Sequence, residues 1–188
     1  MLNYEYPPLG GGGGVNAAHV AEELAHRHEI DVVTSGFKNL SKFEVVNGVR
    51  VHRVPVFRRK ELATATLPSL LSFPLPGFIQ GFKLCRTGKY DVINTHFAVP
   101  TGPVGVLLSK LFNVPNVLSI YGGDIYDPSK SLSPHKNFFF RQAVKYVLNR
   151  SGYLIAESAD IKRKAFDHYK IRKRIDVIHC GLKEPVFK

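Results

Sequence analysis

A doubly wound parallel α/β sheet is the fold this sequence predicts, on three observations. Short β-branched apolar runs alternate with longer stretches of helical period along the whole chain, the pattern left by parallel strands and their covering helices. Five consecutive glycines separate the first apolar run from the first helical stretch, giving the order strand, glycine loop, helix. The 188 residues are 44% hydrophobic, enough for one core, so residues 1–188 read as a single domain.

The elements follow in order. Residues 2–6 read as a first strand, broken by Pro7 and Pro8, and Gly10 to Gly14 form a loop leading into a helix over 15–28. Strands are expected at 30–34 (IDVVT), 49–54 (VRVHRV), 91–95 (DVINT), 116–121, 152–156 and 175–179. Helices are expected over 99–112, 138–149 and 161–169, where apolar residues recur with helical spacing. The short first strand and the polar tail after Gly181 suggest that both ends of the domain are trimmed.

The formal net charge is +11, and it is uneven. Residues 130–188 hold 14 basic and 5 acidic residues, against 12 and 10 before them. A block of that sign suits anionic lipid, diphosphate substrates, nucleic acid or an acidic partner surface. The basic stretch from Lys162 to Arg174 holds too few aromatics to stack single strands, so no nucleic-acid partner is expected. Cys85 and Cys180 show no metal-ligand spacing and read as free thiols, which points to a reducing, cytoplasmic location. No apolar run approaches the roughly 20 residues of a membrane span, so any membrane contact would be peripheral, at the inner face.

Glycines between a strand and a helix let backbone approach an anion closely, where helix amides and the dipole favour phosphate. Gly12, Gly14 and Ala17 satisfy the G-x-G-x-x-A spacing of dinucleotide-binding folds, so an NAD-dependent oxidoreductase domain is one alternative. The second strand ends in Thr34-Ser35 instead of the acidic residue that holds a ribose, which weighs against it. A free-standing module for an anionic ligand is the other alternative.

The stretch EYPPLGGGGGVNAAHVAEELAHRHEIDVVTS resembles the opening of family 4 retaining glycosyltransferases of the GT-B architecture, in which a Glu-x-Pro-Pro segment enters a glycine loop. DVINTHFAVPTG, NVPNVLSIYGGDIYDP, YLIAESADIKRKAF and IDVIHCGLKEPVF are similar to that family's fourth to seventh strands with their following loops. The resemblance implies a Rossmann-like N-terminal half ending at the interdomain hinge. The C-terminal domain that would hold most of a nucleotide diphosphate sugar lies outside it, and the isolated chain would be inactive. It also implies a hexosyl-type transfer to a hydroxyl acceptor, either a sugar or a lipid-linked group. No metal and no cofactor beyond that donor substrate are implied, and no catalytic residue is assigned.

By the same resemblance Gly11, Gly12, Gly13, Gly14 and Tyr121 would contact the donor phosphates and sugar. His96, Gly122, Asp124, Glu157 and Ser158 would face the acceptor. Tyr121 stands where the family usually has His, and a phenol carries no proton charge to give at neutral pH. Asp124 reads equally as a turn residue and Ser158 as a helix N-cap. His96 closes a buried strand at the carboxyl edge, the ligand side of open α/β sheets, and His19 lies in the opening helix. Residues 57–86, with FRRK and two prolines amid aromatics, suit either amphipathic helices on the sheet or an anionic membrane surface.

Overall fold

The computed structural model describes residues 1–129 and 133–181. The tail beyond Gly181 lies outside the described residues. The α/β fold is the expected one. Its elements are α1 (Gly12–Ala25), β1 (Asp31–Ser35), β2 (Phe43–Val46), β3 (Val49–Val54), α2 (Leu67–Ser72), α3 (Pro74–Thr87), β4 (Ile93–His96), α4 (Gly102–Phe112), β5 (Asn116–Ile120), α5 (Phe138–Arg150), β6 (Tyr153–Ala156), α6 (Ala159–Tyr169) and β7 (Asp176–Val177).

The strands pair as β1-β3-β2 and β4-β5-β6-β7. The N-terminal segment joins the two groups, with Leu2 bridging in parallel to Val33 on one side and to Thr95 on the other. The pairing stops at Tyr4, whose carbonyl accepts from Ser35 N, and the Glu5 amide turns to the Asn3 side chain instead. All pairs are parallel except β2 with β3. That antiparallel edge is absent from the sequence reading. Asn47 and Gly48 both have positive φ (48° and 81°), the backbone of a tight hairpin turn that Asn-Gly favours.

Successive strand residues face opposite sides, and the core divides accordingly. Val32 packs with Ala18 and Ala21 of α1, whereas Val33 packs with Phe73, Val104 and Leu108 on the α3–α4 side. A third cluster holds Leu118, Ile120, Leu154 and Ala156 between α5 and α6. Helices therefore cover both faces, and every parallel strand points its carboxyl end to one edge.

Helix α1 begins three residues earlier than helical period alone places it. Glycine costs a helix about 1 kcal/mol relative to alanine, but close packing requires it here. A Cβ on Gly14 would lie 3.1 Å from the carbonyl oxygens of Glu5 and Leu9, and one on Gly13 would lie 2.5 Å from the Phe97 ring.

Candidate active site at the carboxyl edge of the sheet

The glycine segment divides into two kinds of position. Gly13 and Gly14 are filled in by neighbours, whereas a Cβ on Gly11 or Gly12 would meet nothing within 4 Å. Gly11 is the N-cap of α1 and has no side chain to cap it. Its N–H donates to the Glu5 carboxylate at 3.2 Å, and Gly12 and Gly13 open the helix with amides that no residue described accepts. The edge is therefore open backbone at the positive end of a helix dipole.

Beside it the end of β4 is bent. Phe97 has φ 71°, a left-handed backbone that is an outlier for a bulky residue. The Thr101 hydroxyl shares its one proton between the carbonyls of His96 and Phe97 and pins this turn. The bend lays the Phe97 ring against Gly13 and 4.7 Å from the Tyr121 ring. Phe97 is a site residue that sequence reasoning misses, since nothing in the local sequence announces its φ.

Register brings the next pair together. His96 is opposite Ser119 in the β4–β5 ladder, which sets its imidazole beside Tyr121 two residues on. Tyr121 Oη lies 2.7 Å from His96 Nδ1 and receives the Asn16 side-chain amide at 3.3 Å. The phenol and Nδ1 share one hydrogen bond, and His96 Nε2 is buried without a partner among the described residues. Burial pushes the His96 pKa down to about 3, so it stays neutral across the physiological range and is an orienting group for Tyr121. Burial also raises the Tyr121 phenol, helped by the nearby Cys180, Asp124 and Glu157. Tyr121 remains a hydrogen-bonding group, not an acid.

Asp124 is 5% exposed and spans two loops. Its Oδ2 accepts from Ala98 N at 2.6 Å and its Oδ1 from Tyr121 N at 2.9 Å. Burial raises its carboxyl to about 7 against the pull of those amides. Ser158 caps α6, its hydroxyl accepting from Ile161 N at 3.2 Å. Both side chains hold loops in place. The Gly122 carbonyl accepts from Ile125 and Tyr126 in a turn. Glu157, at the end of β6, takes His179 Nδ1 on its carbonyl, and the Cys180 thiol lies 3.8 Å from its Oε2. Among the described residues His19 of α1 forms no hydrogen bond, ion pair or ring contact with this group. At the end of β1 the Thr34 and Ser35 hydroxyls both donate to the Tyr4 carbonyl, so no carboxylate stands where a dinucleotide fold keeps one.

The Glycosyltransferase Family 4 model matches residues 10–184. The chain belongs to glycosyltransferase family 4. It is 32% identical over 127 residues to an uncharacterized glycosyltransferase of Methanocaldococcus jannaschii, an alignment covering 66% of this chain and 31% of that protein. To a second uncharacterized glycosyltransferase of the same organism it is 24% identical over 186 residues, 99% of this chain and 47% of that one. The chain thus spans less than half the length of these relatives. In structure it is similar to sucrose-phosphate synthase from Thermosynechococcus elongatus, with a TM-score of 0.71 and 20% identity, covering 92% of this chain and 43% of that one. That likeness gives the family 4 chain the Rossmann-like fold of a GT-B half, and the open glycines, Phe97 and Tyr121 lie at the carboxyl edge of its sheet.

Proposed function

We propose that this domain forms the acceptor wall, and part of the donor diphosphate wall, of a retaining transferase that uses a nucleotide diphosphate sugar. The observation that carries the reading is the opening at Gly11 and Gly12 beside the Tyr121–His96 pair, in a chain of family 4. Gly11, Gly12 and Gly13 offer amides to the diphosphate, with Glu5 holding the Gly11 amide until an anion takes it, whereas the Gly14 amide donates to Gly11 O and Gly14 serves only to let the helix pack closely. Tyr121 orients the transferred sugar, and His96 keeps its phenol aimed. Glu157 and the Gly122 backbone face the acceptor hydroxyl, while Asp124 and Ser158 fix the loops that carry them. The acceptor oxygen bonds to the anomeric carbon as the bond from that carbon to the diphosphate breaks. The hydroxyl proton leaves with the nucleoside diphosphate, and positioning and stabilised diphosphate charge supply most of the rate. A C-terminal domain holding the nucleotide completes the cleft.

The outer face of α2 and α3 supports a peripheral membrane contact, which we place at the cytoplasmic face. Leu67, Leu71, Leu75 and Ile79 recur every fourth residue and are exposed, Leu75 to 69%. Lys83, Arg86 and Lys60 flank them, each contributing about 1 kcal/mol near an anionic surface. No helix among the described residues is long and apolar enough to cross a membrane. The test of the catalytic reading is transfer by the full-length protein from a panel of uridine, guanosine and adenosine diphosphate sugars. One donor should release its nucleoside diphosphate with the product anomer retained. Gly12→Asp, whose side chain meets open space, should lower turnover at least 100-fold while the protein stays folded. Turnover equal to wild type removes the glycine loop from the mechanism, and consumption of none of the donors sinks the reading.

A further inference from the structure

At the outer end of the same edge the loops after β1 and β3 stand apart from α3 and enclose a groove of about 930 Å³. Six cations line it, namely Lys38, Lys42, Arg53, Arg58, Arg59 and Lys83, and no carboxylate does. They divide by role. Arg59 is buried and donates to Ser35 Oγ, Glu61 O and Leu62 O, and Arg53 is paired with Glu44 and with the Pro7 carbonyl. Lys38, Lys42, Arg58 and Lys83 form no ion pair among the described residues. Lys38 and Arg58 sit at positive φ (41° and 56°), a conformation that costs side-chain-bearing residues energy. Lys38 and Arg58 lie over the Phe37 and Phe57 rings, 4.8 and 5.0 Å from the centroids, but no carboxylate in the groove answers the four charges, and a bound anion would.

Apolar side chains share the groove. Phe37, Leu40, Phe43 and Ile79 line it, with Phe43 53% and Ile79 46% exposed. Ile79 also belongs to the apolar stripe of α2 and α3, so the groove opens onto that stripe. Its other end adjoins the candidate active site. Leu62 O accepts from both Arg59 of the groove wall and Gly10 N of the glycine segment, and Arg53 reaches the Pro7 carbonyl at its base. One segment of chain, Arg59 to Leu62, separates the two.

We infer that this groove is the docking site for a phosphate-bearing lipid acceptor, its phosphate held by Lys38, Lys42, Arg58 and Lys83 and its chain laid over Phe43 and Ile79 toward the stripe. The assignment as acceptor rests on the glycosyl-transfer reading; the binding site itself does not. A bare phosphate would leave the apolar half of the groove unused, and a neutral lipid would leave the cations unanswered.

The test is calorimetric titration of the chain with farnesyl monophosphate below its micellar concentration. Inorganic phosphate, farnesol and phosphatidylcholine vesicles containing phosphatidylglycerol are the other arms. Farnesyl monophosphate should bind saturably with one site, at least 30-fold more tightly than inorganic phosphate, and farnesol should not bind. The double variant Lys42→Glu, Lys83→Glu replaces two exposed side chains with no partners, so it keeps the fold, and it should weaken binding at least 10-fold. Phe43→Ala should weaken farnesyl monophosphate but not inorganic phosphate. Equal binding by the double variant, inorganic phosphate as tight as the lipid phosphate, or binding to the vesicles alone would overturn the proposal. Saturable lipid phosphate binding in a full-length protein that transfers no sugar would keep the site and remove its role as acceptor.

Discussion

Residues 130–188 hold 14 basic against 5 acidic residues, whereas the groove takes its cations from a stretch with 12 and 10. The cation-rich part spreads its charge over surface. In α6, Arg163 and Lys164 both pair with Asp160 at 2.6 Å, Arg174 pairs with Asp176 at 2.7 Å, and the Lys173 ammonium donates to Ser151 O. The nearly neutral part folds six of its cations into one concavity that no carboxylate lines. Asp31 is the plainest case: at the opposite end of β1 from the groove loop it is bound by Arg50 and Tyr90, and it reaches the groove only through His52. A segment's net charge therefore says little about the field a ligand meets, because topology decides which charges converge.

The sharpest way to test the division between built-in and free cations is Arg59→Ala. Arg59 is 8% exposed, and its guanidinium lies over the Tyr4 ring and holds three oxygens. Removing it should cost about 3 kcal/mol in urea unfolding, whereas Lys42→Ala should leave the urea midpoint unchanged. A midpoint equally unmoved by both substitutions would erase the distinction between wall and free cations.

A smaller effect is expected at Asp31, which fixes the back of the groove through His52. Burial alone would raise its carboxyl, but hydrogen bonds from Arg50, His52 and Tyr90 hold it well below the usual carboxylate range. The folded group thus releases its proton more readily than the unfolded one. Its stabilisation is complete above the unfolded value of about 4 and is lost as pH falls below it. Asp31→Asn should cost about 2 kcal/mol at pH 7 and flatten the acid limb of a stability profile taken from pH 7 to pH 2. An acid limb as steep as that of wild type would assign it to other carboxylates.

What the sequence made legible follows the same line between local and convergent information. Strands β1 and β3 to β6 are written in β-branched runs, and α5 begins at Phe138 as its period predicts, where Asn137 caps it. The hairpin at Asn47-Gly48 was equally local, since the dipeptide itself signals the turn, yet a search for parallel strands passes over it. Other features are not local. The φ of Phe97 is set by the packing of its ring between Gly13 and Tyr121, and the His96–Tyr121 bond depends on strand register. The groove was hidden for the reason the charge tally misled: its cations come from three separate stretches, 38–42, 53–59 and Lys83.

The smallest expected effect discriminates best between convergence and bulk charge. Lys162→Glu with Arg172→Glu reverses the same two charges as the groove double variant, but near β6 and β7. Those strands lie four or more steps from β1 in the sheet, about 20 Å at 4.8 Å per step. At 0.15 M salt the Debye length is about 8 Å, so this reversal should change farnesyl monophosphate affinity by less than twofold. At 0.01 M salt, where screening extends to about 30 Å, the same variant should begin to weaken binding. A tenfold loss at 0.15 M would instead make the whole basic surface, and not the groove, the element that captures the anion.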